Sequence, residues 1–314
     1  MKLVSIPANP VPDNAVSGSI KTPDGVTLRF ARWAPPPGRR GTVVILQGRA
    51  EFIEKYYETV RDLRARGFAV ATLDWRGQGL SERALADRHK GYVRSFDEYR
   101  TDLGALMEQV VLPDCPPPFF ALGHSMGGAI AIRACHDGSR WFERVVLSAP
   151  MIGLPRRRTM ALGRPVARTL RLIGRGRSYA PTSSRGASGT EDFIGNVVTS
   201  DPVRFARNAA VLEEEPELGL GAPTVAWADS ALRVMKQFEQ PSYAAELRQP
   251  ILLVAAGRDE VVSTAAIERF GAHLLAGRHL IIAGAMHEIL QEQDHYRDQF
   301  WAAFDAFVPG TPLF

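Results

Sequence analysis

The chain has 314 residues, 45% of them hydrophobic, with a formal charge of +4 and two cysteines. That is enough apolar material for one elaborated domain or two small ones, which excludes a disordered chain, while Cys115 and Cys135 form no metal pattern or disulfide framework and read as reduced thiols. The opening Met1-Lys2-Leu3-Val4-Ser5-Ile6-Pro7 is too brief an apolar run for a secretory signal, and no stretch approaches the roughly 18 apolar residues of a spanning helix, so a cytoplasmic location is expected.

In chain order, segments 19–22 and 26–30 flank Pro23-Asp24-Gly25, a turn that predicts an antiparallel hairpin at a sheet edge. Short apolar runs follow at 42–46, 68–73, 119–122, 144–148, 251–255 and 279–282, each succeeded by a helix-period segment. Alternating strands and helices imply right-handed crossovers, hence a mostly parallel, eight-stranded α/β sheet flanked by helices. Pro35-Pro36-Pro37 and Pro116-Pro117-Pro118 read as stiff turns before strands. After Pro150 the rhythm breaks, and no strand-like run returns until 251, too long a gap for an ordinary connection. The expected organisation is a core in two parts, 1–150 and 250–314, with a helical cap inserted over 151–249.

The run at 119–122 leads into Gly123-His124-Ser125-Met126-Gly127 and then a helical stretch. Strand, G-x-S-x-G, helix is the context of a nucleophile elbow, where glycines let strand and helix converge on one exposed serine. A serine needs a base and a group to orient that base. In this fold they follow as acid and then histidine, in loops after later strands: Asp259 follows the run at 251–255, and His287 follows 279–282. Glu260 competes with Asp259 for the acid role, and Asp259 is preferred as the first acid after the strand. His89, His124, His136, His273, His279 and His295 read as structural or solvated. The oxyanion donors are expected to be two backbone N–H groups, one from Met126 and one from the loop Gln47-Gly48-Arg49-Ala50, with Arg49 the choice there and an ordinary glycine turn the alternative.

Four segments carry a family resemblance: Gly123 to Gly128, the stretch Asp74-Trp75-Arg76-Gly77-Gln78-Gly79-Leu80-Ser81, Gly48-Arg49-Ala50-Glu51-Phe52-Ile53-Glu54-Lys55-Tyr56, and His287-Glu288-Ile289-Leu290. Together they resemble the bacterial lysophospholipases and monoacylglycerol lipases of the α/β-hydrolase superfamily. The resemblance implies an α/β-hydrolase fold and a serine esterase acting on single-chain lipids, with Ser125, Asp259 and His287 as its triad. One departure is Gln47, where many relatives have histidine.

Other signals are declined. Gly77-Gln78-Gly79 lacks the third glycine of a dinucleotide fingerprint, His287-Glu288 lacks a second histidine at ligand spacing, and Gly174-Arg175-Gly176-Arg177 lacks the lysine of a phosphate loop. No cofactor and no metal are expected. Nine arginines (Arg156, Arg157, Arg158, Arg164, Arg168, Arg171, Arg175, Arg177 and Arg185) stand between Ile152 and Arg185 with no acidic residue. Met160, Leu162, Val166, Leu170 and Ile173 interleave with them. The pattern reads either as a basic amphipathic element on an anionic membrane surface or as a solvated cap helix packed on the core, with Glu213, Glu214, Glu215 and Glu217 available to neutralise part of it. The function expected is ester hydrolysis on a lipid substrate, without nucleic-acid binding. The alternatives are an aminopeptidase or small-ester hydrolase on the same scaffold and a non-catalytic basic binding module.

Overall fold

The computed structural model describes residues 1–37, 40–155, 159–181 and 192–308, with the side chains of 159–162 left out. The hairpin forms as β1 (Ala15–Lys21) and β2 (Thr27–Trp33), and the parallel strands are β3 (Thr42–Leu46), β4 (Ala69–Leu73), β5 (Phe119–His124), β6 (Arg144–Ser148), β7 (Ile251–Ala256) and β8 (Gly277–Ile282). They lie in one eight-stranded sheet of order β1-β2-β4-β3-β5-β6-β7-β8. Only the β1–β2 and β2–β4 pairs are antiparallel. Strands β3, β4 and β7 are buried at every position, as strands covered on both faces must be, whereas the edge strands β1 and β8 carry exposed residues.

The helices are α1 (Tyr57–Ala65), α2 (Asp97–Leu106), α3 (Leu112–Asp114), α4 (Met126–His136), α5 (Thr159–Leu172), α6 (Pro202–Glu214), α7 (Val225–Phe238), α8 (Pro241–Ala245), α9 (Thr264–Gly271) and α10 (Asp294–Phe307). Strand β5 runs two residues beyond the predicted 122, because Gly123 and His124 still pair with Leu147 and Ser148 of β6. The chain therefore leaves the sheet at Ser125 itself.

Between β6 and β7 the described chain builds α5 to α8 and no strand of the sheet. Helix α6 starts where Asp201 accepts from Val203 N and Arg204 N, with Pro202 at the first helical position. Val211, Leu212 and Leu218 then pack with Val4 and Phe52 in a small apolar cluster apart from the main core. Of the arginine block, Arg156, Arg157, Arg158 and Arg185 lie outside the described residues. Arg171 pairs with Asp229 at 2.7 Å and Arg164 with Glu239 at 2.6 Å, so the neutralising acids come from α7 and its C-cap. Glu217 instead faces Arg88. Arg168, Arg175 and Arg177 are exposed. Of the interleaved apolar residues, the side chains of Met160 and Leu162 lie outside those described, Leu170 is half-buried, and Val166 and Ile173 are exposed, as is the neighbouring Leu172.

Candidate active site

Ser125 stands between β5 and α4 at φ 47°, ψ −112°, a left-handed conformation that a side-chain-bearing residue adopts only where its surroundings impose it. The constraint is visible at the flanking glycines. A Cβ on Gly127 would stand 2.0 Å from the Leu46 carbonyl oxygen, and one on Gly123 would stand 3.0 Å from Gly128 Cα and 2.9 Å from a Leu147 methyl. Helix α4 thus presses its first turn against the end of β3. Its opening N–H groups have no intrahelical partner, and that of Met126 comes immediately after the serine.

Asp259 lies in the loop after β7 with its side chain sealed from solvent. Its Oδ1 accepts from Val261 N and Val262 N, each at 2.8 Å, which aims Oδ2 at His287 Nδ1, also at 2.8 Å. Glu260 is exposed. Of the two candidate acids, the structure brings Asp259 to the histidine. The His287 loop is itself tied down by buried Glu292, whose carboxylate accepts from Met286 N at 2.8 Å and from Ser200 N at 2.9 Å. The His124 ring, read from sequence as structural, lies 4.8 Å from the His287 ring and shares its chamber. Burial lowers the His124 pKa, and its Nδ1 bonds the Ser148 carbonyl at 3.1 Å. Ser125 and His287 line the same chamber, and no direct hydrogen bond joins them among the described residues. Such contacts commonly tighten only when substrate binds.

The loop after β3 is held on both sides of Arg49. Gly48 N donates to Glu51 Oε2 and Ala50 N donates to Gln78 Oε1, each at 2.5 Å. Both neighbouring amides are thereby occupied, whereas the Arg49 amide makes no hydrogen bond among the described residues. Gln47, the departure from the relatives' histidine, turns its side chain into the sheet and donates to Thr72 Oγ1 at 3.2 Å. Glu51 supplies the loop-shaping bond that Gln47 does not. Burial opposes its ionisation, but Lys55, His124 and the Tyr56 hydroxyl outweigh burial and hold the carboxyl at about 2. Lys55 bridges Glu51 at 2.9 Å and Glu288 at 2.6 Å, joining the loop after β3 to the histidine loop.

Sequence reasoning missed Glu51, Lys55, Glu288 and Glu292 as organisers of the site. The spacing of Glu51 and Lys55 was the legible signal. The declined Gly77-Gln78-Gly79 has a structural purpose: Asp74 accepts from Ile53 N and Leu80 N and pairs with Arg29, and a Cβ on Gly79 would overlap that carboxylate.

Ser125, His287 and the loop after β3 open on a chamber of about 540 Å³. Its wall is largely apolar and includes Met151, Leu154, Trp227, Leu232 and Met235. A second cavity of about 1030 Å³ lies on the other side of Leu154, Leu232, Met235 and Val262; it touches Asp259 but neither Ser125 nor His287. No group of three or more His, Cys, Asp or Glu among the described residues is placed to hold a metal ion. No helix among them is long and apolar enough to cross a membrane.

The family described as "Serine aminopeptidase, S33" matches residues 37–294. Lysophospholipase L2 of Escherichia coli (strain K12) is 34% identical over 282 residues, covering 87% of this chain and 82% of that protein. Monoacylglycerol lipase of Mycolicibacterium smegmatis is 26% identical over 280 residues, covering 86% and 89%. A thermostable carboxyl esterase from Bacillus coagulans, solved in complex with glycerol, superposes with a TM-score of 0.76 over 96% of this chain and 99% of its own, at 19% identity, a likeness of fold. The nucleophile-elbow geometry, the sheet order and the extent of these matches agree: the chain belongs to the serine aminopeptidase S33 family of the α/β-hydrolase superfamily.

Proposed function

We propose that this protein is a serine ester hydrolase of single-acyl-chain lipids, with Ser125, His287 and Asp259 as its catalytic groups. The observation that carries the reading is the 2.8 Å Asp259–His287 pair, whose histidine shares a chamber with a serine on a positive-φ elbow. Ser125 Oγ attacks the ester carbonyl while His287 Nε2 takes its proton; Asp259 holds the proton on Nδ1 and stabilises the imidazolium. The Arg49 and Met126 amides receive the oxyanion. His287 then protonates the departing glycerol oxygen, and water activated by the same histidine releases the fatty acid and restores Ser125. The apolar wall takes the acyl chain, and residues 151–249 form the cap that closes over it.

The naming of the relatives as lysophospholipase and monoacylglycerol lipase supports this substrate class. The family description favours a second reading, an aminopeptidase. Such an enzyme must seat a free ammonium group against a carboxylate, and the chamber's acids, Glu51 and Glu288, are both bound to Lys55. We further propose that the exposed Arg168, Arg175 and Arg177, beside exposed Val166, Leu172 and Ile173, make a peripheral contact with anionic membrane surfaces.

The test is a panel of lysophosphatidylcholine, monoacylglycerol, a p-nitrophenyl ester and an aminoacyl anilide, with wild type and Ser125→Ala. Lipid esters should be turned over fastest, and the variant should lose at least about a thousandfold in kcat. Fastest cleavage of the anilide would move the function to the second reading.

A further inference from the structure

One cation in the chamber wall has no counter-ion among the described residues. The Arg49 side chain extends from the loop after β3, donates from Nη2 to the Gly221 carbonyl, and lies 5.2 Å from the Trp227 ring centroid. Its Nε is sealed without a partner. Its Nη1 makes no hydrogen bond among the described residues and is not sealed, which leaves a donor open on a residue that lines the chamber. No carboxylate pairs with it among the described residues.

Other buried arginines are treated differently. Arg29 faces Glu54 and Asp74, and Arg76 faces Asp24 and Asp102. Arg83, also without an acid in bonding contact, spends its donors on the carbonyls of Gly77, Gly79, Glu217 and Gly219. Arg49 has a single carbonyl. Burial pushes its pKa down to about 10, and the nearby Tyr99 offsets only part of that shift. A group kept at that cost is stabilised when an anion arrives to pair with it.

We propose that the Arg49 guanidinium is the specificity-determining group that receives the phosphodiester of a single-chain phospholipid while the backbone amide of the same residue holds the ester. The inference rests on the ester-hydrolase reading of the site. In a lysophospholipid six covalent bonds separate the ester carbonyl carbon from phosphorus, a reach of roughly 7 Å. Five bonds separate Arg49 Cα from Cζ, roughly 6 Å. One arginine therefore has the length to serve both ends of the glycerol unit. Guanidinium matches phosphate with paired, charge-assisted hydrogen bonds, whereas the terminal hydroxyl of a monoacylglycerol offers no charge to offset the buried cation. The chamber then favours the phosphorylated lipid over the neutral one.

The test compares kcat/KM for lysophosphatidylcholine and 1-monoacylglycerol of matched short acyl chain, presented below micelle formation, in wild type, Arg49→Met and Arg49→Lys. Wild type should prefer the phospholipid. The ratio should fall about tenfold or more in Arg49→Met, and Arg49→Lys should recover part of it because the charge returns without the fork. In wild type alone, glycerol 3-phosphate should inhibit p-nitrophenyl butyrate hydrolysis competitively where glycerol does not, a measurement that stands if Arg49→Met fails to fold. A ratio in Arg49→Met within twofold of wild type, or equal inhibition by glycerol and glycerol 3-phosphate, would overturn the assignment. Wild type inactive on every ester would instead overturn the ester-hydrolase reading beneath it.

Discussion

Asp259 and Glu260 are adjacent carboxylates whose environments differ in every respect that matters to a histidine. Asp259 is sealed, with one oxygen satisfied by two amides and the other on His287 Nδ1; Glu260 is exposed. Removing the charge from Asp259 should therefore leave the imidazole in the wrong tautomer, whereas the His287 Nδ1 bond does not depend on the exposed Glu260. Asp259→Asn is expected to reduce kcat on a soluble p-nitrophenyl ester by about three to four orders of magnitude, and Glu260→Gln by less than about threefold. Steady-state kinetics on both folded variants checks this, and comparable losses would remove Asp259 from its role. Glu51 acts at one remove, fixing Gly48 so that the neighbouring amide stays free.

At the scale of elements, α5 and the turn after it present two kinds of arginine. Arg164 and Arg171 are bound to acids of the α7 segment and hold the helix in place. Arg168, Arg175 and Arg177 point outward with three exposed apolar neighbours, a combination that suits a surface both anionic and apolar. Replacing those three by glutamine should weaken hydrolysis of lysophospholipid embedded in anionic vesicles by about tenfold or more at low salt, since each basic side chain near such a surface contributes about 1 kcal/mol. Raising salt should narrow the gap between variant and wild type as the surface field is screened. Vesicle and soluble-ester assays run side by side distinguish the readings: equal losses on both would mean that these arginines only support the local fold.

Across the whole molecule, the helical insertion is tied to the core by charge as much as by apolar contact. Glu58 of α1 receives Arg204 and Arg207 from α6 and Arg297 from α10. Burial opposes ionisation of Glu58, but these three arginines outweigh it and bring the carboxyl down to about 2 from an ordinary 4.5. Because the folded-state value is depressed, the associated stability is fully present above about pH 4.5 and is lost as pH falls towards 2. Glu58→Gln should be less stable than wild type at pH 7, and the difference should shrink steadily as pH falls towards 2, where the wild-type carboxyl is only about half ionised. Urea unfolding midpoints measured from pH 7 to 2 test this, and a difference that stays constant with pH would assign the effect to shape rather than charge.

Much of this molecule was decided locally and so was readable from residues in order. Eight strands, the edge hairpin and the serine elbow follow from alternation of apolar runs with helix-period segments and from glycines where backbones must meet, and these are short-range properties of the chain. The placement of Ser125, Asp259 and His287 directly after strands was readable too, because each follows an apolar run in the sequence. What lay beyond reach was every decision made between residues far apart in sequence. Lys55 could be seen beside Glu51 but not beside Glu288, and the acids that neutralise Arg164 and Arg171 were sought at Glu213 to Glu217 when they stand on the α7 segment. Whether Arg49 would find a carboxylate or be left in the chamber wall with a carbonyl and an indole was likewise open. Burial and pairing of charge depend on which distant segments converge, so tertiary structure alone could settle them.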